Sequence, residues 1–170
     1  RPRVAGGDPT DRGVLIMDGT HVSMFGTGPE DRDYTDEERR NLDVVARYRV
    51  AKVSDRGQFW APGFKRHRAG FLNIAEMMGG AAGMTDDSIA DKRIEMLHFD
   101  AKGDTVWGIW KILGRHTGDL YGLPATNKEM DVIEVGLWKL VDGLITEAWY
   151  FGDDLGLLRQ LGLATEIGGA

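Results

Sequence analysis

Apolar residues recur at helical spacing after residue 40, and this pattern predicts the first secondary-structure element. The apolar stripe consists of Leu42, Val45, Ala46, Val50 and Val53, with charged residues on the opposite face. Thr35 and Glu38 precede the stripe at the spacing of a capping box, in which each side chain satisfies a free backbone N–H of the other residue. We therefore predict a helix that begins after Thr35 and packs its stripe against a sheet. A shorter helix is predicted over residues 69–78, ended by Gly79 and Gly80.

From about Arg93 the apolar period changes to two, which is typical of strands. Four strands are predicted, at residues 93–99, 105–117, 129–141 and 144–151. The last two are separated by Asp142-Gly143, a dipeptide that favours a tight hairpin, so the sheet should be antiparallel. A final helix should begin near Asp153, which is placed to cap it, bury Leu155, Leu158 and Leu161, and end at Gly162. Helices and strands that are segregated in this way indicate an α+β fold.

The first 35 residues have a separate pattern. Asp18-Gly19 lies between two short apolar runs, residues 14–17 and 20–25, which suggests a small hairpin or arm. We therefore divide the chain into an N-terminal arm at 1–35 and one α+β domain at 36–170.

Composition narrows the classes of partner. The 170 residues are 42% hydrophobic and 28% charged, with a net charge of −6, which disfavours nucleic acid and anionic membranes. Cysteine is absent, and the four histidines show no paired metal-ligand spacing, so no metal site is predicted. Apolar runs are too short for a membrane span or a signal-peptide core. The expectation is a soluble, cytoplasmic protein that acts on a small molecule.

Three ordered segments resemble the C-terminal half of the SnoaL-like polyketide cyclases, which belong to the nuclear-transport-factor-like, or cystatin-like, α+β barrel superfamily. They are Gly114-Arg-His-Thr-Gly-Asp-Leu-Tyr-Gly-Leu-Pro-Ala-Thr126, Leu140-Val-Asp-Gly-Leu-Ile145 and Asp154-Leu-Gly-Leu-Leu-Arg-Gln-Leu-Gly162. The resemblance implies a cone, in which a curved sheet wraps around helices and encloses a mostly apolar pocket. It also implies a homodimer and chemistry that needs no cofactor.

The chain departs from the family at two positions. The resemblance implies an acid/base Asp on the last strand, three residues before Asp153, but Tyr150 stands there. A family His on the preceding strand corresponds to Gly136. The catalytic groups of those cyclases therefore do not transfer to this chain.

Strand alternation supplies other candidates. If position 150 faces the pocket, Ala148 and Gly152 share its face, and on the preceding strand Val132, Glu134 and Trp138 point inward. Tyr150 would then donate a hydrogen bond to an enolate oxygen while Glu134 takes a proton from carbon. The alternative is that Tyr150 only packs and that Glu134 only pairs with an arginine such as Arg115.

Further candidates lie outside this pair. His116 is either a ligand contact or a hydrogen-bonding residue at a strand end. His67 lies in residues 62–68, interpreted as a basic loop at the pocket mouth, where it is either an acid/base or merely exposed. The ligand-binding candidates are Trp138, Trp60, Trp110 and Arg115, with Trp60 interpreted as a gate.

Two functions follow from these features. The first is a cofactor-independent cyclase, isomerase or lyase acting on a hydrophobic carbonyl compound of polyketide, terpenoid or steroid type. The second is a non-catalytic binding protein with the same pocket, which the replacement of the family Asp by Tyr150 favours. A water-activating hydrolase is a weaker third interpretation.

Overall fold

The structure, a computed structural model, describes residues 33–68 and 84–164, together with the backbone of two strands near the N-terminus. Helix α1 spans Asp36–Val50, a 3₁₀ helix follows at Val53–Phe59, and helix α2 spans Asp154–Leu161. The strands are β1 (Val14–Met17), β2 (Thr20–Met24), β3 (Trp60–Arg68), β4 (Ile89–Lys102), β5 (Thr105–His116), β6 (Glu129–Val141) and β7 (Leu144–Gly152). The predicted helix at 69–78 lies outside the described residues.

These strands form one seven-stranded sheet in the order β1-β2-β4-β5-β6-β7-β3. The central strands β4 to β7 pair antiparallel, as the hairpin signals predict. At one edge β1 and β2 form an antiparallel pair, and β2 joins β4 in parallel. At the other edge β3 joins β7 in parallel. The α+β prediction is confirmed.

The interpretation of residues 62–68 as a loop is wrong, because they belong to β3. Lys65 to Arg68 are in register with Glu147 to Tyr150, and the register shifts between Trp60 and Lys65. Pro62 and Gly63 are typical of turns, so the sequence does not show the strand. An edge strand tolerates proline at a position where the backbone N–H of another residue would face away from the sheet. Backbone pairing with β7 therefore overrides the local turn signal.

Both described helices begin at their predicted caps. The two side chains of the capping box, Thr35 and Glu38, each accept from the other residue's backbone N–H. In α2 the Asp153 side chain accepts from the Gly156 N–H, and Gly162 ends the helix in the left-handed conformation. The predicted burial of Leu155 is wrong: it is 44% exposed, and Leu157 takes its place in the buried stripe because 154, 157, 158 and 161 share one helical face.

The inner face of the sheet carries the core. Alternate residues of β5 and β6 are buried, and Trp110, Trp138 and Val45 of α1 are fully enclosed. Gly136 lies between the two indoles, where a Cβ would come within 2.6 Å of Trp110 and 2.7 Å of Trp138. No helix within the described ranges has the length and apolar character needed to cross a membrane.

The substitution Gly136→Ala should lower the free energy of unfolding by about 1–3 kcal/mol, because the added methyl group forces the two indoles apart. Urea unfolding followed by tryptophan fluorescence measures the change. Gly57→Ala is the matched control, since a Cβ there meets nothing within 4 Å. Equal stabilities of the two variants would contradict the close packing described at Gly136.

Candidate active site

The inner face of the sheet, α1 and the 3₁₀ helix surround a partly open cavity. It contains about 580 Å³ of space not filled by atoms, counting the part open to solvent. Its described lining comprises seven apolar residues, Met84, Ile89, Ile112, Leu120, Met130, Val132 and Leu157, three tyrosines, Tyr48, Tyr121 and Tyr150, and six charged residues, Arg49, Arg56, Arg66, Arg68, Lys92 and Glu134. The cavity thus joins an apolar wall to a cationic one, which the expectation of a mostly apolar pocket did not include.

Tyr150 lies on the inner face of β7, and only 3% of its surface is exposed. Its hydroxyl oxygen lies 2.8 Å from that of Tyr48 on α1, and the Trp138 Nε1–H donates to it at 3.0 Å. Burial, with a further contribution from Tyr48, raises the pKa of the Tyr150 phenol. Tyr150 is therefore a protonated hydroxyl held in a fixed position at the cavity wall.

Glu134 lies on the same face, on β6, and is 8% exposed. Its Oε1 accepts from Arg68 Nη1 at 2.6 Å, and its Oε2 lies 3.7 Å from Arg49 Nη2. Arg68 also donates from Nη2 to Asp154 at 2.9 Å, so one guanidinium joins β3, β6 and α2. The expectation that Glu134 pairs with an arginine is met by Arg68 and Arg49, whereas Arg115 lies elsewhere.

Lys92 reaches the cavity from an irregular part of β4. The register with β5 shifts between Ala90 and Arg93, where Asp91 has a φ of 52°. This extra residue is a β-bulge, which places both Ile89 and Lys92 on the cavity side. Burial, together with nearby Arg56 and Arg49, lowers the pKa of Lys92 to about 7.

Arg56 and Arg66 complete the cationic wall. Arg56, in the 3₁₀ helix, is 8% exposed, and its guanidinium carbon lies 5.5 Å from the centre of the Tyr48 ring. Burial and neighbouring Arg49 lower the pKa of Arg56. Arg66 is exposed, donates to the Tyr121 hydroxyl at 2.8 Å, and lies 5.4 Å from the centre of the Tyr150 ring.

Six of the eight predicted site residues do not line the cavity, and three of those six lie away from it. His67 is on the outer face of the sheet, where it stacks on Trp149 and its Nε2 lies 2.8 Å from a Glu147 oxygen. Trp60 stacks on Phe64 and pairs with Ile145, at the opposite end of β3 from Arg68. Arg115 is exposed beside Asp91. His67 and Arg115 point outward because each precedes a buried residue, Arg68 or His116, and neighbouring side chains of a strand face opposite sides.

The other predicted residues lie behind the cavity wall. Trp138 holds Tyr150, and Trp110 stacks under Arg49, whose guanidinium carbon is 4.0 Å from the ring centre. His116 is fully buried at the end of β5, with Nδ1 3.1 Å from the Thr126 hydroxyl oxygen, and burial lowers its pKa. The structure therefore brings Tyr150, Glu134, Trp138 and Trp110 together and separates His116 from them.

Sequence reasoning missed Tyr48, Arg49, Arg56, Arg68 and Lys92. Of these, Lys92 was the easiest to predict from the sequence. Side chains alternate along a strand, so a residue two positions before buried Ile94 should face the same side as Ile94 and Met96. Tyr48 and Arg49 lie on the buried side of α1 beside Val45 and could have been read from its period. Arg56 and Arg68 carried no comparable signal.

The two positions at which the resemblance implies a His and an Asp face each other. Gly136 and Tyr150 are register partners of β6 and β7. The space that a side chain at 136 would need is filled by Trp110 and Trp138, and Trp138 donates to the hydroxyl at 150. Gly136 and Tyr150 are thus linked through Trp138.

Comparisons with known proteins agree on the family. The sequence profile of the SnoaL-like polyketide cyclases matches residues 39–161. Aklanonic acid methyl ester cyclase of Streptomyces peucetius is 26% identical over 124 residues, which are 70% of this chain and 86% of that protein. Nogalonic acid methyl ester cyclase of Streptomyces nogalater is 35% identical over 72 residues, 42% of this chain and 54% of that protein.

A solved structure supports the same conclusion at the level of fold. The crystal structure of a SnoaL-like protein from Jannaschia sp. CCS1 has a TM-score of 0.62 and 19% identity, and covers 79% of this chain and 99% of its own. The profile match spans more than two thirds of the chain and includes most of α1, the central strands and α2. The chain therefore belongs to the SnoaL-like polyketide cyclase family.

Proposed function

We propose that the chain is a cofactor-independent acid/base catalyst that closes a ring in, or isomerises, a carbonyl compound of the polyketide class. The observation that carries this proposal is the protonated, doubly hydrogen-bonded Tyr150 hydroxyl on the same cavity face as Glu134. The cyclase names of the two Streptomyces relatives support the substrate class. The alternative of a non-catalytic binding protein finds no support in those names.

Glu134 is the proton acceptor in this proposal. Within the described lining it carries the one carboxylate, and its register partner Gly152 is two residues beyond Tyr150 on the same strand. It takes a proton from the carbon beside a substrate carbonyl, and the electron pair moves onto the carbonyl oxygen as an enolate. The enolate carbon then bonds to a second carbonyl carbon of the same molecule, whose oxygen receives the proton. No atom is lost in the ring closure.

Tyr150 stabilises the negative oxygen. The Trp138 N–H can only donate, so it occupies an acceptor position of the Tyr150 oxygen and leaves the phenolic proton available. When Tyr48 also donates to Tyr150, that proton points to the ligand. A fixed donor of this kind stabilises charge that develops during the reaction and needs no reorganisation.

Tyr150→Phe should lower kcat by roughly 10²-fold with KM little changed, because the lost donor acts mainly on the charged intermediate. Turnover is measured with aklanonic acid methyl ester and its free acid. Tyr34→Phe is the control: it removes a phenol that donates to Asp100 at 2.6 Å, away from the cavity. Unchanged kcat in Tyr150→Phe would remove this hydroxyl from the mechanism, and no turnover of either compound by the unaltered protein would contradict the proposed activity.

Glu134→Gln should lower kcat by about 10²- to 10⁴-fold, because the amide cannot take the proton. Asp154→Asn is the matched variant, since both carboxylates bind Arg68 but only Glu134 lines the cavity. Both changes should lower the free energy of unfolding by about 1–3 kcal/mol. Equal losses of kcat in the two variants would show that Glu134 acts through Arg68 and takes no proton itself.

We further propose that two copies of the chain associate through the outer face of the sheet. Phe151, Ile133, Val135 and Trp107 on β5 to β7 are between 36% and 52% exposed and point away from the cavity. Val135 and Phe151 are register partners, so this apolar surface is continuous across two strands. A second copy would cover the same apolar surface on its partner.

Light scattering should give a dimeric mass for the unaltered chain and a monomeric mass for the double variant Ile133→Asp/Phe151→Asp, because buried charges oppose apolar association. Leu155→Asp is the control, since Leu155 is 44% exposed on α2 rather than on the sheet. A monomeric mass for the unaltered chain would refute the dimer.

A further inference from the structure

The charges that line the cavity do not balance. Five cationic side chains face one carboxylate in the described lining, and Glu134 is shared between Arg68 and Arg49. Asp154, the second partner of Arg68, lies outside the lining. Arg66 is exposed, so water screens its charge. The remaining basic side chains on the cavity surface are Arg56 and Lys92.

Arg56 is more than nine-tenths buried, yet no described carboxylate lies within ion-pair distance of its guanidinium, and its buried Nε has no hydrogen-bond partner among the described residues. Lys92, which is half-buried, likewise forms no ion pair or hydrogen bond with the described residues. Burying a cation without a partner is costly, so a protein retains such groups where a ligand supplies the opposite charge.

The two cations face the same space. The charged groups around Lys92 are Arg56 of the 3₁₀ helix, Arg49 of α1, Asp86 before β4 and Glu134 of β6. Asp86 binds the backbone N–H of Val53, and Glu134 binds Arg68, so both nearby carboxylates are engaged. Opposite the β4 bulge, Gly114 contributes no side chain to the cavity. The apolar residues Ile89, Ile112 and Val132 border the same cavity.

We infer that Arg56 and Lys92 form an anion subsite that binds a carboxylate of the substrate, so that this enzyme takes a free acid in which the apolar part of the molecule occupies the opposite wall. A guanidinium and an ammonium match a carboxylate in charge and hydrogen-bonding capacity, whereas a methyl ester supplies no negative charge. This inference rests on the proposed function for the identity of the ligand as substrate, but the binding of the anion does not require turnover.

The subsite is tested with 2-naphthoate and its methyl ester, which share a shape and have no acidic C–H next to a carbonyl. Calorimetry on the full chain should show the acid binding about 10- to 100-fold more tightly than the ester. Arg56→Met should abolish that preference while Arg56→Lys keeps part of it. Arg115→Gln, which alters an exposed arginine outside the cavity, should leave the preference unchanged. Circular dichroism checks that each variant is folded.

A second measurement does not depend on the Arg56 variants. Because the pKa of Lys92 is about 7 in the empty cavity, the amine is largely neutral at pH 8, and a bound carboxylate favours its charged form. Binding of 2-naphthoate at pH 8 should therefore take up close to one proton, measured by calorimetry in buffers of different ionisation enthalpy. Lys92→Met should remove the uptake.

The outcomes separate the two proposals. Equal affinity for acid and ester, or no binding of the acid at millimolar concentration, overturns the anion subsite. Inorganic phosphate that binds as tightly as 2-naphthoate overturns its assignment to a carboxylate. Acid-selective binding by a protein that turns over neither polyketide compound leaves the subsite standing and contradicts the proposed activity. Turnover of the methyl ester without acid-selective binding supports the proposed activity and overturns the anion subsite.

Discussion

The arrangement of the cavity depends on the Arg68 guanidinium. It lies 3% exposed at the end of an edge strand and holds Glu134 and Asp154 on two other elements. A buried carboxylate is costly unless it is paired, and removal of one partner would leave the other charge uncompensated. Gly152 makes room for the group, since a Cβ there would lie 3.1 Å from Arg68 Nη2. One planar group therefore links the edge strand, the central sheet and helix α2, in addition to the backbone pairing of β3 with β7.

The position of Tyr150 depends on close packing of the aromatic residues around Gly136. Gly136, Trp110 and Trp138 occupy the layer beneath Tyr150, and the Trp138 N–H sets the orientation of the hydroxyl above it. The resemblance to the cyclases implies a His at position 136 and an Asp at position 150. In this chain the two positions hold a glycine, whose side-chain space two indoles fill, and a phenol that is a neutral hydrogen-bond donor. The charged side chains of the cavity come from other positions, and most of them are arginines.

The sequence predicts most of the sheet because its strands alternate regularly and are joined by strong turn signals. Strand alternation correctly places Tyr150, Glu134 and Trp138 inward, and the capping residues Thr35 and Asp153 mark both described helices. β3 escapes prediction because Pro62 and Gly63 resemble a loop, and its pairing with β7 is visible only in three dimensions. The cationic wall could not be predicted for the same reason. Arg49, Arg56 and Arg68 come from three elements that local periodicity does not bring together.

The contrast between the whole chain and its cavity affects how quickly a ligand arrives. The chain carries a net charge of −6, whereas the described cavity lining is strongly positive and Arg66 is exposed beside it. A negatively charged molecule is repelled by much of the exterior and attracted only near the opening, so productive encounters come from a narrow range of directions. Dissolved salt screens both the repulsion by the exterior and the attraction at the opening, while the enclosed contacts that govern residence time are screened much less.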